Sequence, residues 1–178
     1  METLGLEVPE ALSALALAEA SQGATPLFIA SAGSVIGIIA VADRVRPESR
    51  AAVSALRGRG LRVVMLTGDN RRTAEAVGAR LGIASEDIVA DVRPAEKASH
   101  VKALQADGPC AMVGDGVNDA PALAQADAGV AVGGGTDAAR ASADVVLMRD
   151  SPEGVVGAVD LSRAVMRNIR QNLFWAFA

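Results

Sequence analysis

The feature that most constrains the fold is an alternation of short apolar runs with helix-like segments, which begins after residue 43 and continues to the end of the chain. The apolar runs have the length of buried strands, and those at 61–66 and 110–113 are each followed directly by a glycine- and aspartate-rich loop. The segments between them carry apolar residues at helical spacing. This alternation predicts an α/β fold, with a parallel sheet that is covered by helices on both faces.

The same patterns place the individual elements. Strands are predicted at 61–66, 88–90, 110–113, 128–132 and 144–148. Helices are predicted to start at Pro47 and Pro94, to occupy 71–81 and 119–126, to start again at about Asp137, and to run from Pro152 to the end.

The first 42 residues have a different character. Residues 9–22 are rich in alanine and leucine and predict a short helix that ends near Gly23. Two apolar runs, at 26–31 and 35–41, are separated by turn residues at 31–34, which predicts a β-hairpin.

Composition excludes several classes of protein. With 51% hydrophobic residues, the 178-residue chain can bury a substantial core. Its net charge of −4 and its 2% aromatic content argue against a nucleic-acid-binding module. One cysteine and one histidine exclude an internal disulfide and a Cys- or His-cluster metal site. The sequence has no apolar run of eighteen residues, so none of it is expected to span a bilayer alone.

The loop after the predicted strand 61–66 reads Thr67-Gly68-Asp69-Asn70. A hydroxyl, a glycine that permits close backbone approach and the N-terminus of the next helix together suit a phosphate group. The alternative is that Asp69 or Asn70 only caps that helix. The tetrapeptide by itself supports both interpretations equally.

The loop after the predicted strand 110–113 runs from Gly114 to Asp119 and contains two carboxylates and an amide, those of Asp115, Asn118 and Asp119. Mg²⁺ takes hard oxygen ligands of this kind, usually one or two carboxylates together with water and substrate phosphate. The alternative is a helix start, with Asp119 as N-cap and Pro121 in the first turn. The two interpretations are compatible, and a pair of carboxylates favours the metal.

Lys97 lies between the two loops, just after Pro94 at the start of a predicted helix. Its ammonium group would be a point charge for a phosphoryl oxygen, although an isolated lysine here would more simply be a solvated helix residue. A hydroxyl–glycine loop, a lysine and an aspartate-rich loop, in this order, form a consistent set for phosphoryl transfer.

These segments also resemble a known family. Residues 65–70, Lys97 and residues 112–123 strongly resemble the phosphorylation domain of P-type ATPases, which belong to the haloacid-dehalogenase-like superfamily. Residues 133–137 and 143–147 are similar to later segments of that domain, and residues 166–178 resemble the helix that enters the membrane in the heavy-metal, copper-transporting subgroup. The resemblance covers nearly the whole chain from about Thr25.

The resemblance implies roles for individual residues. Thr67, Lys97 and Asp119 would act in catalysis, and Asp115 and Asp119 would hold Mg²⁺. The phosphate-binding residues that it implies are Thr67, Gly68, Asp69, Lys97 and Asn118. ATP would be the substrate of the intact pump.

The resemblance also implies a domain organisation. Residues 1–42 would be the C-terminal remnant of a nucleotide-binding domain, 43–151 the phosphorylation domain without its nucleophile strand, and 152–178 a long helix that leads to the membrane. The implied partners are the nucleotide-binding, actuator and membrane parts of a pump that exports copper or another heavy-metal cation, with no nucleic acid. The intact protein would lie in the cell membrane with this part on its cytoplasmic face, and the isolated chain would be soluble or peripheral.

The phosphorylated aspartate of that family lies in an Asp-Lys-Thr-Gly-Thr segment, which does not occur in these 178 residues. We therefore expect the isolated chain to be inactive. Two alternatives remain open at this point. One is a soluble haloacid-dehalogenase-like phosphohydrolase that uses Asp43 as nucleophile, and the other is a non-catalytic phosphate- or Mg²⁺-binding module.

The missing nucleophile strand gives a structural prediction. Residues 35–41 either fill the vacant position as a parallel strand or stay paired with 26–31. We expect the antiparallel hairpin, because its partner is local, whereas parallel insertion needs a long crossover. Edges left without a partner would make the isolated chain prone to aggregation.

Overall fold

The structure, a computed structural model, describes residues 6–41, 45–115, 118–133, 141–149 and 151–177. The chain forms two compact units. The first consists of Met1–Arg46 and Val63–Val92, and the second of Pro47–Arg62 and Arg93–Ala178. The predicted domain boundaries at 42/43 and 151/152 follow another criterion and stay a prediction.

Helices and strands alternate through most of the chain. The helices are α1 (Glu10–Ser21), α2 (Pro47–Gly58), α3 (Arg71–Leu81), α4 (Lys97–Leu104), α5 (Ala120–Gln125) and α6 (Glu153–Phe177). The strands are β1 (Thr25–Ser31), β2 (Ser34–Val41), β3 (Met65–Leu66), β4 (Ile88–Val89), β5 (Ala111–Gly114), β6 (Ala128–Ala131) and β7 (Val145–Val146). Short 3-10 turns precede β4 and α4 and follow α4.

The strands of the described residues form three separate sheets. β1 and β2 are antiparallel, β3 pairs with β4 in parallel, and β5, β6 and β7 form a parallel sheet in that order. The predicted mixed α/β fold with parallel strands is therefore confirmed.

The hairpin is formed by β1 and β2, with Thr25 opposite Val41 and Ser31 opposite Ser34. Its turn residue Gly33 has a φ of 78°, in the left-handed region that two-residue hairpin turns require. The prediction that residues 35–41 pair antiparallel with 26–31 is confirmed.

In the first unit, the sequence of α3 fixes both ends of that helix. Asn70 caps its N-terminus, and Gly82 ends it in the left-handed conformation with a φ of 78°. Gly78 lies so close to β4 that an added Cβ would be 2.4 Å from Cδ1 of Ile88. Close packing of α3 on β4 therefore depends on a glycine at this position.

In the second unit, α5 packs closely on the β5–β6–β7 sheet. The side chains of Val101, Leu123 and Ala131 are at most 2% exposed and form the centre of this core. A Cβ on Gly129 would be 2.7 Å from the carbonyl oxygen of Leu123, so β6 passes directly beneath the helix. This packing holds α5, and the loop before it, against the end of β5.

Two predicted strands are shorter in the structure. The run 61–66 is a strand only at Met65–Leu66, because β4, its partner, offers only Ile88 and Val89. The run 144–148 is a strand only at Val145–Val146, where it pairs with β6. A strand extends only as far as its ladder, which apolar patterning does not reveal. Most of the helix predicted from about Asp137 lies outside the described residues.

The long helix α6 has two different halves. Most residues up to Val159 are partly buried, whereas every residue from Asp160 to Phe177 is exposed. Arg59, which follows α2, holds Asp160 through two 2.6 Å hydrogen bonds, and this ion pair lowers the pKa of the Asp160 carboxyl. Among the helices described, α6 included, none combines the length and apolarity needed to cross a membrane.

Candidate functional site

The first loop, Thr67–Asn70, follows β3 in the first unit. The Thr67 hydroxyl donates to Oδ2 of Asp69 at 3.0 Å and accepts from the backbone N–H of Asp69 at 3.1 Å. The Thr67 N–H donates to the carbonyl of Val89, which continues the β3–β4 ladder by one residue. Both groups are exposed, so the hydroxyl lies at the carboxyl end of a parallel strand, as predicted.

Donors at the start of α3 already have partners. The Asn70 side chain accepts from the N–H of Thr73 at 3.0 Å, which confirms the alternative that Asn70 caps the helix. The N–H of Arg71 donates to Oδ2 of Asp91 at 3.2 Å. The sequence-based expectation that the helix offers free N–H groups is therefore wrong for these two, since local acceptors bind them. Phosphate binding by this loop stays a prediction that depends on Thr67, Gly68 and Asp69.

Asp91 is a member of this loop region that sequence reasoning missed. Its N–H donates to the carbonyl of Asp69 at 2.8 Å, and its φ of 57° is a conformation that aspartate tolerates. Next to it, the carbonyl oxygen of Val92 would lie 3.3 Å from a Cβ on Gly68. The signal was available, because Asp91 follows β4 and parallel neighbours end at one edge of a sheet. Thr25, whose hydroxyl donates to Asp69 at 3.3 Å, had no such signal.

The second loop follows β5 in the second unit, where Asp115 comes directly after Gly114. Its strongest described contact is the ion pair between the Lys97 ammonium and Oδ1 of Asp119, at 2.6 Å. The two side chains are only 17% and 12% exposed. The structure therefore brings together two of the predicted site residues, which are 22 positions apart in sequence.

Asp119 is held against the end of β5 as well as by Lys97. A Cβ on Gly114 would be 2.6 Å from Oδ2 of Asp119, so the carboxylate lies on the glycine backbone. Asp119 occupies the N-cap position of α5 with Pro121 in the first turn, as the alternative predicted. Its side chain, however, makes no capping hydrogen bond, and that part of the alternative is wrong, because the carboxylate is bound by Lys97.

The remaining predicted positions have less structural detail. Asn118 lies in the turn before α5. Gly116 and Val117, like Asp43 and residues 134–137, fall outside the described residues.

The donor set at the second loop fits Mg²⁺. Within the described parts of the chain, no group of three or more His, Cys, Asp or Glu residues is arranged to hold a metal ion. Mg²⁺ does not require such a cage, because it binds through one or two carboxylates and keeps water and phosphate oxygens as its other ligands. Asp115 and Asp119 supply that number, and the charge of Asp119 is already partly balanced by Lys97.

Cys110 precedes this loop but is not built for metal or redox chemistry. The predicted core cysteine of strand 110–113 is partly exposed, and β5 begins one residue later, at Ala111. Burial raises the pKa of the Cys110 thiol, and the nearby Asp127 carboxylate adds to this effect. The thiol is therefore protonated at neutral pH, which makes it a poor nucleophile.

A family model of haloacid dehalogenase-like hydrolases matches residues 2–127. Among curated proteins, the chain is 50% identical over 173 residues to copper-exporting P-type ATPase B of Archaeoglobus fulgidus, covering 97% of this chain and 24% of that protein. It is 53% identical over 156 residues to a probable copper-transporting ATPase of Synechococcus elongatus, covering 87% of this chain and 21% of that protein. The chain thus spans about a quarter of the length of these relatives.

Solved structures give the same result. The crystal structure of a zinc-transporting PIB-type ATPase in its E2·Pi state matches with a TM-score of 0.76 and 39% identity, covering 93% of this chain and 27% of that one. These likenesses confirm the resemblance to heavy-metal P-type ATPases that residues 65–70 and 112–123 predicted. The family model spans well over half of the sequence, and the chain therefore belongs to the haloacid dehalogenase-like hydrolases.

Proposed function

We propose that the chain is a segment of a P-type ATPase that exports copper or another heavy-metal cation, driven by ATP through an aspartyl-phosphate. In this proposal the segment supplies the phosphate- and Mg²⁺-binding loops, and an aspartate outside these 178 residues is phosphorylated. The curated relatives named above are copper ATPases, and the matched structure is a zinc transporter, so copper is the favoured cation.

The observation that carries the proposal is the Lys97–Asp119 pair at the carboxyl end of β5. A lysine and an aspartate that are both largely buried are costly to keep unless they serve each other or a ligand. Here the ammonium group lies beside the loop that contains Asp115, where a phosphoryl group and a divalent cation would both need charges. This arrangement is suited to phosphoryl transfer, which depends on positioning and on electrostatic stabilisation.

The proposed roles follow from this placement. Asp115 and Asp119 would hold Mg²⁺, which when bound neutralises charge on a phosphoryl group. Lys97 would provide a second positive charge while keeping Asp119 in place. The Thr67 hydroxyl would turn from Asp69 to a phosphate oxygen, with Gly68 allowing the backbone to come close. Asp69 and Asn118 would support the geometry of their loops.

The proposal also assigns partners. The nucleotide-binding, actuator and membrane domains of the pump would be covalently linked to this segment. Helix α6 would lead towards the membrane on its cytoplasmic side and would transmit movements of the phosphorylation domain.

A chimeric pump tests the proposal. In the Archaeoglobus relative, this chain would replace the quarter to which it is 50% identical. We expect the chimera to form a hydroxylamine-sensitive phosphoenzyme from labelled ATP in a metal-dependent manner, and the same chimera with Lys97→Ala to form almost none. The unmodified Archaeoglobus pump is the positive control. A chimera that folds, binds ATP and takes up no label would contradict the proposal.

A further inference from the structure

The C-terminal half of α6 is a basic and apolar surface, which nothing covers in the described part of the chain. Every residue from Asp160 to Phe177 is exposed. Residues 161–177 contain three arginines and no acidic residue. In a chain with a net charge of −4, this segment carries +3, so positive charge is concentrated on one helix.

The arginines share one face of the helix. Arg163, Arg167 and Arg170 are four and three residues apart, and positions with these spacings are neighbours on a helix surface. A shallow groove on this face is lined by the arginines together with Ser162, Met166, Gln171 and Phe174. The groove therefore presents guanidinium groups beside apolar side chains.

Large apolar side chains run alongside the arginine face. Met166, Ile169 and Leu173 follow the same spacing and are 45%, 45% and 52% exposed. At the end of the helix, Trp175 is 74% exposed and packs edge-on against Phe174, with the ring centroids 5.4 Å apart. An apolar strip next to a strip of arginines, with a tryptophan at its end, has the composition of a helix that lies in a membrane interface.

We infer that residues 161–177 bind the surface of an anionic phospholipid bilayer, with the arginines on lipid phosphates and the apolar strip at the acyl boundary. Charge complementarity selects this occupant, because guanidinium groups bind phosphate oxygens in pairs of hydrogen bonds. Nucleic acid or an acidic peptide would satisfy the arginines but would leave Met166, Ile169 and Leu173 uncovered. The inference rests on the proposed function for the nearby membrane, and it adds the lipid class.

The single tryptophan makes the test direct. The chain has no tyrosine, so the emission of the 178-residue chain reports on Trp175. The chain is titrated with vesicles of phosphatidylcholine alone, and with vesicles that also contain phosphatidylglycerol. We expect a blue shift with the anionic vesicles, little change with neutral ones, and reversal of the shift in about 0.5 M salt.

Two charge-matched double variants isolate the arginine face. Arg167→Gln with Arg170→Gln should weaken binding by about 25-fold, since each arginine near an anionic surface adds roughly fivefold. Arg163 stays unchanged because it also donates to the carbonyl of Arg59. The control, Arg50→Gln with Arg72→Gln, removes the same charge from exposed positions on other helices and should change binding less than threefold.

The outcomes separate the inference from its rivals. Equal binding to neutral vesicles, equal binding by the two double variants, or a spectral change with polyglutamate but none with vesicles would each overturn it. Equal far-ultraviolet circular dichroism of all variants controls for folding. Because neither ATP nor phosphate is present, failure here would not affect the phosphoenzyme test of the proposed function, and the reverse also holds.

Discussion

The two glycine- and aspartate-rich loops look alike in sequence but are stabilised in different ways. In the first loop, neighbours satisfy each other: Thr67 binds Asp69, and Asn70 caps α3. In the second loop, Asp119 makes no cap and is held by Lys97 from another helix. The first loop is thus a local structure, whereas the second is a tertiary one. Substitutions should therefore be costlier in the second.

The largest effect is expected at Asp115. In the chimeric pump, Asp115→Asn should reduce phosphoenzyme formation by at least about 100-fold, because a metal ion contributes several kcal/mol of charge stabilisation to such a transfer. Rapid-mixing phosphorylation with labelled ATP measures it. Cys110→Ser is the matched control five residues away and should leave phosphorylation and metal transport nearly unchanged. A Cys110 variant that folds but does not transport would show that this thiol matters.

Breaking the ion pair of the second loop should cost stability in the chain itself. Lys97→Met leaves the Asp119 carboxylate buried without its partner, which we expect to lower the free energy of unfolding by about 3 kcal/mol. Adding Asp119→Asn should restore most of this loss. Urea unfolding of the wild type, both single variants and the double variant measures the coupling. If the two substitutions were simply additive, the pair would not be what holds the loop.

The two loop glycines give a direct comparison. Gly114→Ala would place a Cβ 2.6 Å from the Asp119 carboxylate, and we expect it to cost about 2 kcal/mol of unfolding free energy. Gly68→Ala would approach the carbonyl of Val92 to 3.3 Å, a milder contact, with an expected cost below about 1 kcal/mol. Thermal and urea unfolding of the two variants measure the difference. The reverse order would contradict the contrast between a tertiary and a local loop.

The smallest effect is expected at the cap of the first loop. Asn70→Ala removes the acceptor for the N–H of Thr73 and should cost about 1 kcal/mol. Asn70→Asp keeps a capping oxygen and should cost much less. Urea unfolding distinguishes them. A loss near 3 kcal/mol in the alanine variant would mean that this loop, too, depends on contacts beyond its own helix.

Local features of the fold were readable from the sequence. Helix α3 occupies the predicted residues 71–81, because its cap, its apolar spacing and its terminal glycine all lie within a dozen positions. The hairpin turn and the positions of the two loops were predicted for the same reason. All of these depend on residues that are close in sequence.

Features that depend on distant partners were not readable. The length of β3 is set by β4, more than twenty residues later, and not by the apolar run that precedes it. The choice of Asp119 between capping α5 and binding Lys97 is decided by where α4 packs. Asp91, which binds the start of α3, becomes visible only when β3 and β4 are known to be neighbours.

The central claim is that this chain carries the phosphate- and Mg²⁺-binding groups but not the phosphorylated aspartate. The most direct test labels the isolated 178-residue chain and the chimeric pump side by side with radioactive ATP, followed by hydroxylamine. The account predicts a hydroxylamine-sensitive label on the chimera and none on the isolated chain above a heat-killed control. A label on the isolated chain that disappears in its Asp43→Asn variant would contradict the account and would identify a self-sufficient phosphohydrolase.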